Sequence, residues 1–225
     1  MTNFFRELLY ALKSVFFKPV EASHKETPSE VEQAEGIRPR LGIVVGHEAK
    51  APGATMAITK ESEYSYNSKI AELIIAHSGA FPVDVRIFKR DGIGIAGAYK
   101  KANEALCDYV VELHFNAVNT KVAGTETLSS TDRQDIDFAR VVQAELCKVF
   151  GRQGMSRGVK PLPRSARGGF SLYAYPQGRN CLVEPFFGDN PMEAEMAYSL
   201  MDDYAKGLLR AVDTFHKARQ SMGLT

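Results

Sequence analysis

From Leu41 onward, short apolar runs of strand type alternate with longer segments whose apolar residues recur at helical spacing. That alternation constrains the fold more than any other feature. Leu41–Val45, the alternating Val83, Val85 and Ile87, Tyr109–Phe115, Gly124–Leu128, Phe170–Tyr175 and Asn180–Phe187 read as strands. Tyr64–His77, Ala96–Leu106 and Asp132–Phe150 read as helices, with Gly79 and Gly151 placed to end two of them. A last helix starts with Asn190 as cap, Pro191 at its first position and Glu193 at its third, and runs to about Ala218. Strands that alternate with helices predict an α/β domain. Its central sheet is mostly parallel or mixed, and helices cover both faces.

The first forty residues follow other rules. Phe4, Phe5, Leu8, Leu9, Leu12, Val15 and Phe16 make one apolar stripe at helical spacing. Lys13 and Glu7 interrupt it and no small-residue cleavage site follows, so it does not read as a signal peptide. The stripe is expected to dock on its own domain or a partner, with a membrane surface as the alternative for residues 4–17. Glu21 to Arg38 is polar and without period. The expected organisation is therefore an amphipathic helix over 1–20, a linker over 21–38 and a folded domain over 39–225. No apolar run approaches the roughly 18 residues needed to span a bilayer. A net charge of +1 over 225 residues gives no ground for nucleic-acid binding. Cys107, Cys147 and Cys181 are too far apart for a metal knuckle and read as buried thiols.

Two of the strand patterns end in histidine. Leu41-Gly42-Ile43-Val44-Val45-Gly46 runs into His47, and a loop rich in Ala, Pro and Gly follows; Tyr109–Leu113 runs into His114. In α/β proteins reacting groups sit beyond the carboxyl ends of the strands. Two imidazoles at one sheet edge can serve one ion, and a catalytic zinc site needs a third protein ligand beside them. Glu48, Glu61 and Glu63 are the acidic candidates. Glu63 opens a helix, where a carboxylate also favours the helix dipole. Cys181-Leu182-Val183-Glu184-Pro185-Phe186-Phe187 buries one more carboxylate in an apolar run. Such a charge is either paired in an ion pair or used, and the used form is a general base near a metal.

These residues together resemble the zinc-dependent N-acetylmuramoyl-L-alanine amidases of bacterial cell-wall hydrolases and phage endolysins. The matching pieces are Ile43-Val44-Val45-Gly46-His47 with Pro52-Gly53-Ala54, Glu63 with Asn67, and Ala102-Asn103. Glu112-Leu113-His114-Phe115-Asn116-Ala117, Gly124-Thr125-Glu126, Arg157-Gly158-Val159-Lys160, Leu182-Val183-Glu184 and Asn190 complete the set. The match covers about Leu41 to Leu209. The chain departs from the family at Glu48-Ala49, where two glycines are common, and at Tyr99-Lys100-Lys101, where an Arg is usual.

The resemblance implies one Zn2+ per chain on His47, Glu63 and His114, with Glu184 as catalytic acid/base. It implies a sheet of about six strands and hydrolysis of the amide between N-acetylmuramic acid and L-alanine in peptidoglycan. Asn116 and Arg157 are candidate substrate contacts. Arg152, Arg157, Lys160, Arg164 and Arg167 read as one basic loop that is either solvated or clamps stem-peptide carboxylates. Glu112 shares a strand face with His114, so it either bonds the histidine from behind or pairs with a nearby cation. His24, His77 and His216 are expected to have no catalytic role, and Tyr173 and Tyr175 to pack rather than to line a groove. A zinc peptidase cutting within the stem peptide, or a wall-binding domain without catalysis, are the alternatives. Action on the cell wall, in the periplasm or at the cell surface, is expected, by a chain without a clear signal peptide that stays cytoplasmic until released.

Overall fold

A computed structural model of the chain describes residues 38–176 and 179–224. The expected N-terminal helix and nearly all of the linker lie outside the described residues. The elements run β1 (Arg40–Val45), α1 (Glu63–Ser78), β2 (Asp84–Phe88), α2 (Gly94–Glu104), β3 (Tyr109–Leu113) and β4 (Thr125–Ser129). They continue as α3 (Arg133–Val149), β5 (Ser156–Pro161), α4 (Gly169–Leu172), β6 (Arg179–Glu184), α5 (Pro191–Ser199) and α6 (Met201–Ser221).

The six strands form one sheet in the order β2-β1-β3-β6-β4-β5. β2, β1, β3 and β6 are mutually parallel, and β4 joins β6 antiparallel with β5 parallel to it. The sheet is thus mixed, and helices lie on both faces. Side-chain alternation splits the strands between two cores. Leu41, Ile43, Val45, Tyr109, Val111, Leu113, Cys181 and Val183 face the larger core together with apolar residues of α1, α3 and α6. Val44 and Val110 face a smaller core with Ala98, Tyr99 and Ala102 of α2 and with Tyr175.

Local chemistry explains most boundaries. Ser62 accepts from the Ser65 amide to start α1, Asp132 from the Gln134 amide to start α3, and Asn190 from the Met192 and Glu193 amides to start α5. The expected last helix is two. Its backbone leaves helical values at Leu200, and Asp202 and Asp203 then stand in the first turn of α6, where the helix dipole favours them. Glu193 does not reach back to its cap but pairs with Arg152 and accepts from the Gly124 amide at 3.1 Å.

Two further expectations fail. Phe170–Tyr175 is not a strand: Gly169–Leu172 forms one helical turn, and Tyr173 and Tyr175 pack by their hydroxyls against Leu162 and Cys107 carbonyls. β6 already has β3 and β4 on its two sides, which leaves that segment no ladder to join. The missing strand is β5, inside the segment read as a basic loop. It is an edge strand whose exposed residues include Arg157, Lys160 and Pro161. Charge and proline are how an edge resists pairing with other chains, and they erase the apolar pattern by which strands are recognised.

Candidate active site

β1, β3 and β6 are parallel, so their carboxyl ends share one edge of the sheet. His47 follows β1, His114 follows β3, and Glu184 ends β6. His47 takes a left-handed backbone, φ 65°, which turns the chain out of the strand and over this edge. α1 starts beside it and delivers Glu63. Asn67, wholly buried one turn on, donates to the Leu113 carbonyl at 3.2 Å and ties α1 to the end of β3.

One ligand atom from each of His47, Glu63 and His114 lies within 4.8 Å of the others. Glu63 Oε2 is 3.1 Å from His47 Nε2, and Glu63 Oε1 is 2.8 Å from His114 Nδ1. Ligands about 2 Å from a tetrahedral ion stand ~3.3 Å apart, and two nitrogens with one carboxylate form a donor set that zinc favours. The residues therefore fit a zinc ion. Glu61 and Glu48, the other acidic candidates, are elsewhere: Glu61 pairs with Lys69 at 2.8 Å, and Glu48 pairs its backbone with Ala51.

Glu63 is buried to 3% exposure and its carboxylate is fully engaged. Besides the two imidazoles it accepts the Phe115 amide at 3.1 Å and the Ala54 amide at 3.2 Å. Burial alone would raise its pKa, but the hydrogen bonds from His114 and His47 hold it down at about 2. The loop from His47 passes so close that a Cβ on Gly53 would come within 2.6 Å of His47 Cδ2 and 2.7 Å of Glu63 Oε2. Gly53 also has φ +80°, so only glycine suits it on both counts.

Glu184 has the opposite surroundings. Leu113 pairs with Val183, so Glu184 stands beside His114 on the same face. On its other side β4 sets Glu126 directly opposite it. Its Oε2 is buried without a hydrogen-bond partner among the described residues. Burial raises its pKa to about 7, with the charges of Glu63 and Glu126 adding to the rise and His114 opposing it.

Asn116 and Arg157 meet at one carboxylate. Asn116 Nδ2 donates to Glu126 Oε1 and Arg157 Nε to Glu126 Oε2, both at 2.7 Å. The Arg157 guanidinium also lies over the Phe187 ring, 5.1 Å from its centroid, while its side chain stays 39% exposed. The other basic residues divide. Arg152 is consumed by Glu193, and Arg164 lies over the Phe170 ring at 5.5 Å. His77 binds Asp202 at 2.6 Å and His216 meets the Tyr109 hydroxyl at 3.0 Å, both away from the cluster. The three cysteines are free and buried, and burial raises the Cys107 thiol to about 11.

Two residues near the cluster went unread in the sequence. Arg90 pairs with Glu112 and sits 3.1 Å from His114 Nε2. Asp91 accepts the Ala49 amide at 2.8 Å and so pins the loop after His47. Both follow the end of β2, the position that marked His47 and His114.

Comparison with known proteins bears on this arrangement. The profile of the N-acetylmuramoyl-L-alanine amidase family matches residues 41–214. No curated protein matches the chain in sequence. Among solved structures, the catalytic domain of CwlV, an N-acetylmuramoyl-L-alanine amidase from Bacillus (Paenibacillus) polymyxa var. colistinus, is 19% identical. The match covers 83% of this chain and 99% of that one, with a TM-score of 0.67. The amidase AmiC2 of Nostoc punctiforme is also 19% identical, over 80% and 98% of the two chains, with a TM-score of 0.67. The catalytic domain of the CD27L endolysin targeting Clostridia difficile is 22% identical, over 77% and 96%, with a TM-score of 0.65. These likenesses establish a shared fold, and the profile spans nearly all of the described domain: the chain belongs to the N-acetylmuramoyl-L-alanine amidase family and is a peptidoglycan amidase.

Proposed function

We propose that this amidase works with one zinc ion held by His47, Glu63 and His114, and with Glu184 as its acid/base. The observation that carries the reading is the contrast between the two carboxylates. Without metal, Glu63 is saturated with donors and held as an anion, the form a ligand must have. Glu184 keeps an oxygen without a partner and a pKa of about 7. Zinc, when bound, supplies Lewis acidity to the amide carbonyl and makes the attacking water more acidic.

The protein's own groups do the rest. A carboxylate near pKa 7 is matched to taking a proton from water and returning it to a leaving nitrogen at neutral pH. Glu184 Oε2 is the accepting atom, since no donor among the described residues occupies it. Glu126 fixes Arg157 and Asn116 across from it, which leaves the exposed side of the guanidinium for a carboxylate of the stem peptide. Peptidoglycan, the substrate of the family reaction, is the partner this site requires. Among the described residues no helix is long and apolar enough to cross a membrane. The remaining proposal on partners concerns residues 4–17, whose apolar stripe would place the enzyme on a membrane, on another subunit or on its own domain.

Mass spectrometry of the products from purified peptidoglycan tests the reaction. Stem peptides that begin with free L-alanine, and glycan strands that keep bare N-acetylmuramic acid, are expected. Products cut between residues of the stem would contradict the proposal.

A further inference from the structure

His114 is contacted at both ring nitrogens, and only Nδ1 faces the ligand cluster. Nε2 points away from it, 3.2 Å from Glu112 Oε1 and 3.1 Å from Arg90 Nη2. Glu112 and Arg90 form an ion pair with each other. Glu112 is wholly buried and Arg90 is 8% exposed. Tyr99, also wholly buried, donates its hydroxyl to the second Glu112 oxygen at 2.9 Å, and that hydroxyl lies 3.2 Å from Asn180 Oδ1. A buried ion pair rarely stabilises a fold more than apolar residues of the same volume would. This one lies in an otherwise apolar strand, directly behind a proposed ligand. Stability does not account for it.

The ring has little freedom apart from this pair. Gly46 donates its amide to the Leu113 carbonyl at 3.0 Å and comes close to the imidazole. A Cβ there would meet His114 Cε1 and Nε2 at 2.7 Å. Gly46 therefore closes one side of the ring while Arg90 and Glu112 close its Nε2 edge.

We propose that Arg90 and Glu112 are positioning residues of the metal centre, which hold the Nε2 edge of His114 in either tautomer. The pair offers one donor and one acceptor to the same nitrogen. Without metal, Nδ1–H donates to Glu63 Oε1 and Nε2 accepts from Arg90 Nη2. When a cation takes Nδ1, that proton leaves to solvent, Nε2 takes one up and donates it to Glu112 Oε1. The ring need not turn, and Arg90 balances the Glu112 charge throughout. A ligand histidine anchored by a carboxylate is a more basic and better oriented donor. The inference rests on the proposed ligand set.

Imidazole 15N spectra of the full chain test it, with His114 assigned by its absence in His114→Ala. The His114 proton should sit on Nδ1 in zinc-free protein and on Nε2 with one equivalent of zinc. A proton on Nδ1 in the zinc-bound protein would overturn the proposal. Competition with a chelator gives a second reading. Glu112→Gln, with wild-type circular dichroism, should bind zinc about 10–100-fold more weakly. Wild-type affinity in that variant would contradict the positioning role alone. A wild-type chain that takes up no zinc would remove the ligand set, and the proposal with it.

Discussion

Glu63 and Glu184 reach the same sheet edge from opposite sides, and the protein treats them in opposite ways. The β1–β3–α1 side supplies four donors to Glu63 and pulls its pKa down to about 2. The β4–β6 side supplies Glu184 with a second carboxylate opposite it, no donor for Oε2 among the described residues, and a pKa of about 7. Burial acts on both groups in the same direction. What separates them is hydrogen bonding, since each bond to a charged group is worth about 1.5–3 kcal/mol. One side holds its carboxylate as an anion, and the other leaves its carboxylate titrating near neutral pH, as the proposed proton transfer needs. Two titratable groups driven apart by their surroundings are the ground on which we propose Glu63 as ligand and Glu184 as acid/base.

The largest expected effect is on the fixed-charge side. His47→Ala or His114→Ala should abolish both zinc binding and hydrolysis, as read by metal analysis and product release. Retention of zinc by both variants would break the comparison at its root. Gly53→Ala sharpens it. The added methyl meets His47 and Glu63 at positive φ, so zinc affinity should fall at least about tenfold, a loss of about 1.4 kcal/mol. Gly151→Ala, just past the end of α3, is the control, with φ +61° but nothing within 4 Å of the new Cβ, and it should leave zinc affinity unchanged.

On the other side, Arg157→Ala should raise KM about tenfold with a smaller change in kcat, because the lost bond is to a charged group of bound substrate. A fall in kcat alone would place Arg157 in proton transfer instead. The smallest effect is on stability. Glu184 has a folded pKa raised from 4.5 to about 7, so its protonated form favours folding and that contribution is lost as pH rises between those values. In metal-free protein, Glu184→Gln should therefore raise Tm by a few degrees at pH 8 and change it little at pH 5. About 1 kcal/mol shifts a domain of this size by about 2–4 °C. Equal shifts at both pH values would show that Glu184 carries no desolvated charge.

The legible parts of the site were those marked by a local conflict. A histidine after an apolar run, or a carboxylate inside one, violates the pattern of its own segment, and His47, His114 and Glu184 stood out for that reason. Glu63 obeyed its local rule, as a first-turn acid of a helix, and it was singled out by its place just after the loop that His47 begins and by the family resemblance. Arg90 was illegible because an Arg beyond β2 conflicts with nothing; its burial against Glu112 is a tertiary fact. The fold followed the same logic. Buried strands such as β1, β3 and β6 announced themselves by apolar runs. β5 did not, because an exposed edge strand is selected for charge, and its place was wrongly given to the apolar segment 170–175.

The division between the two sides is tested most directly by one variant, Glu184→Gln, assayed for zinc content and for amide hydrolysis in the same preparation. The account predicts about one zinc per chain, as in wild type, with turnover lower by roughly two to four orders of magnitude. Near-normal turnover, or loss of the zinc together with the activity, would contradict it.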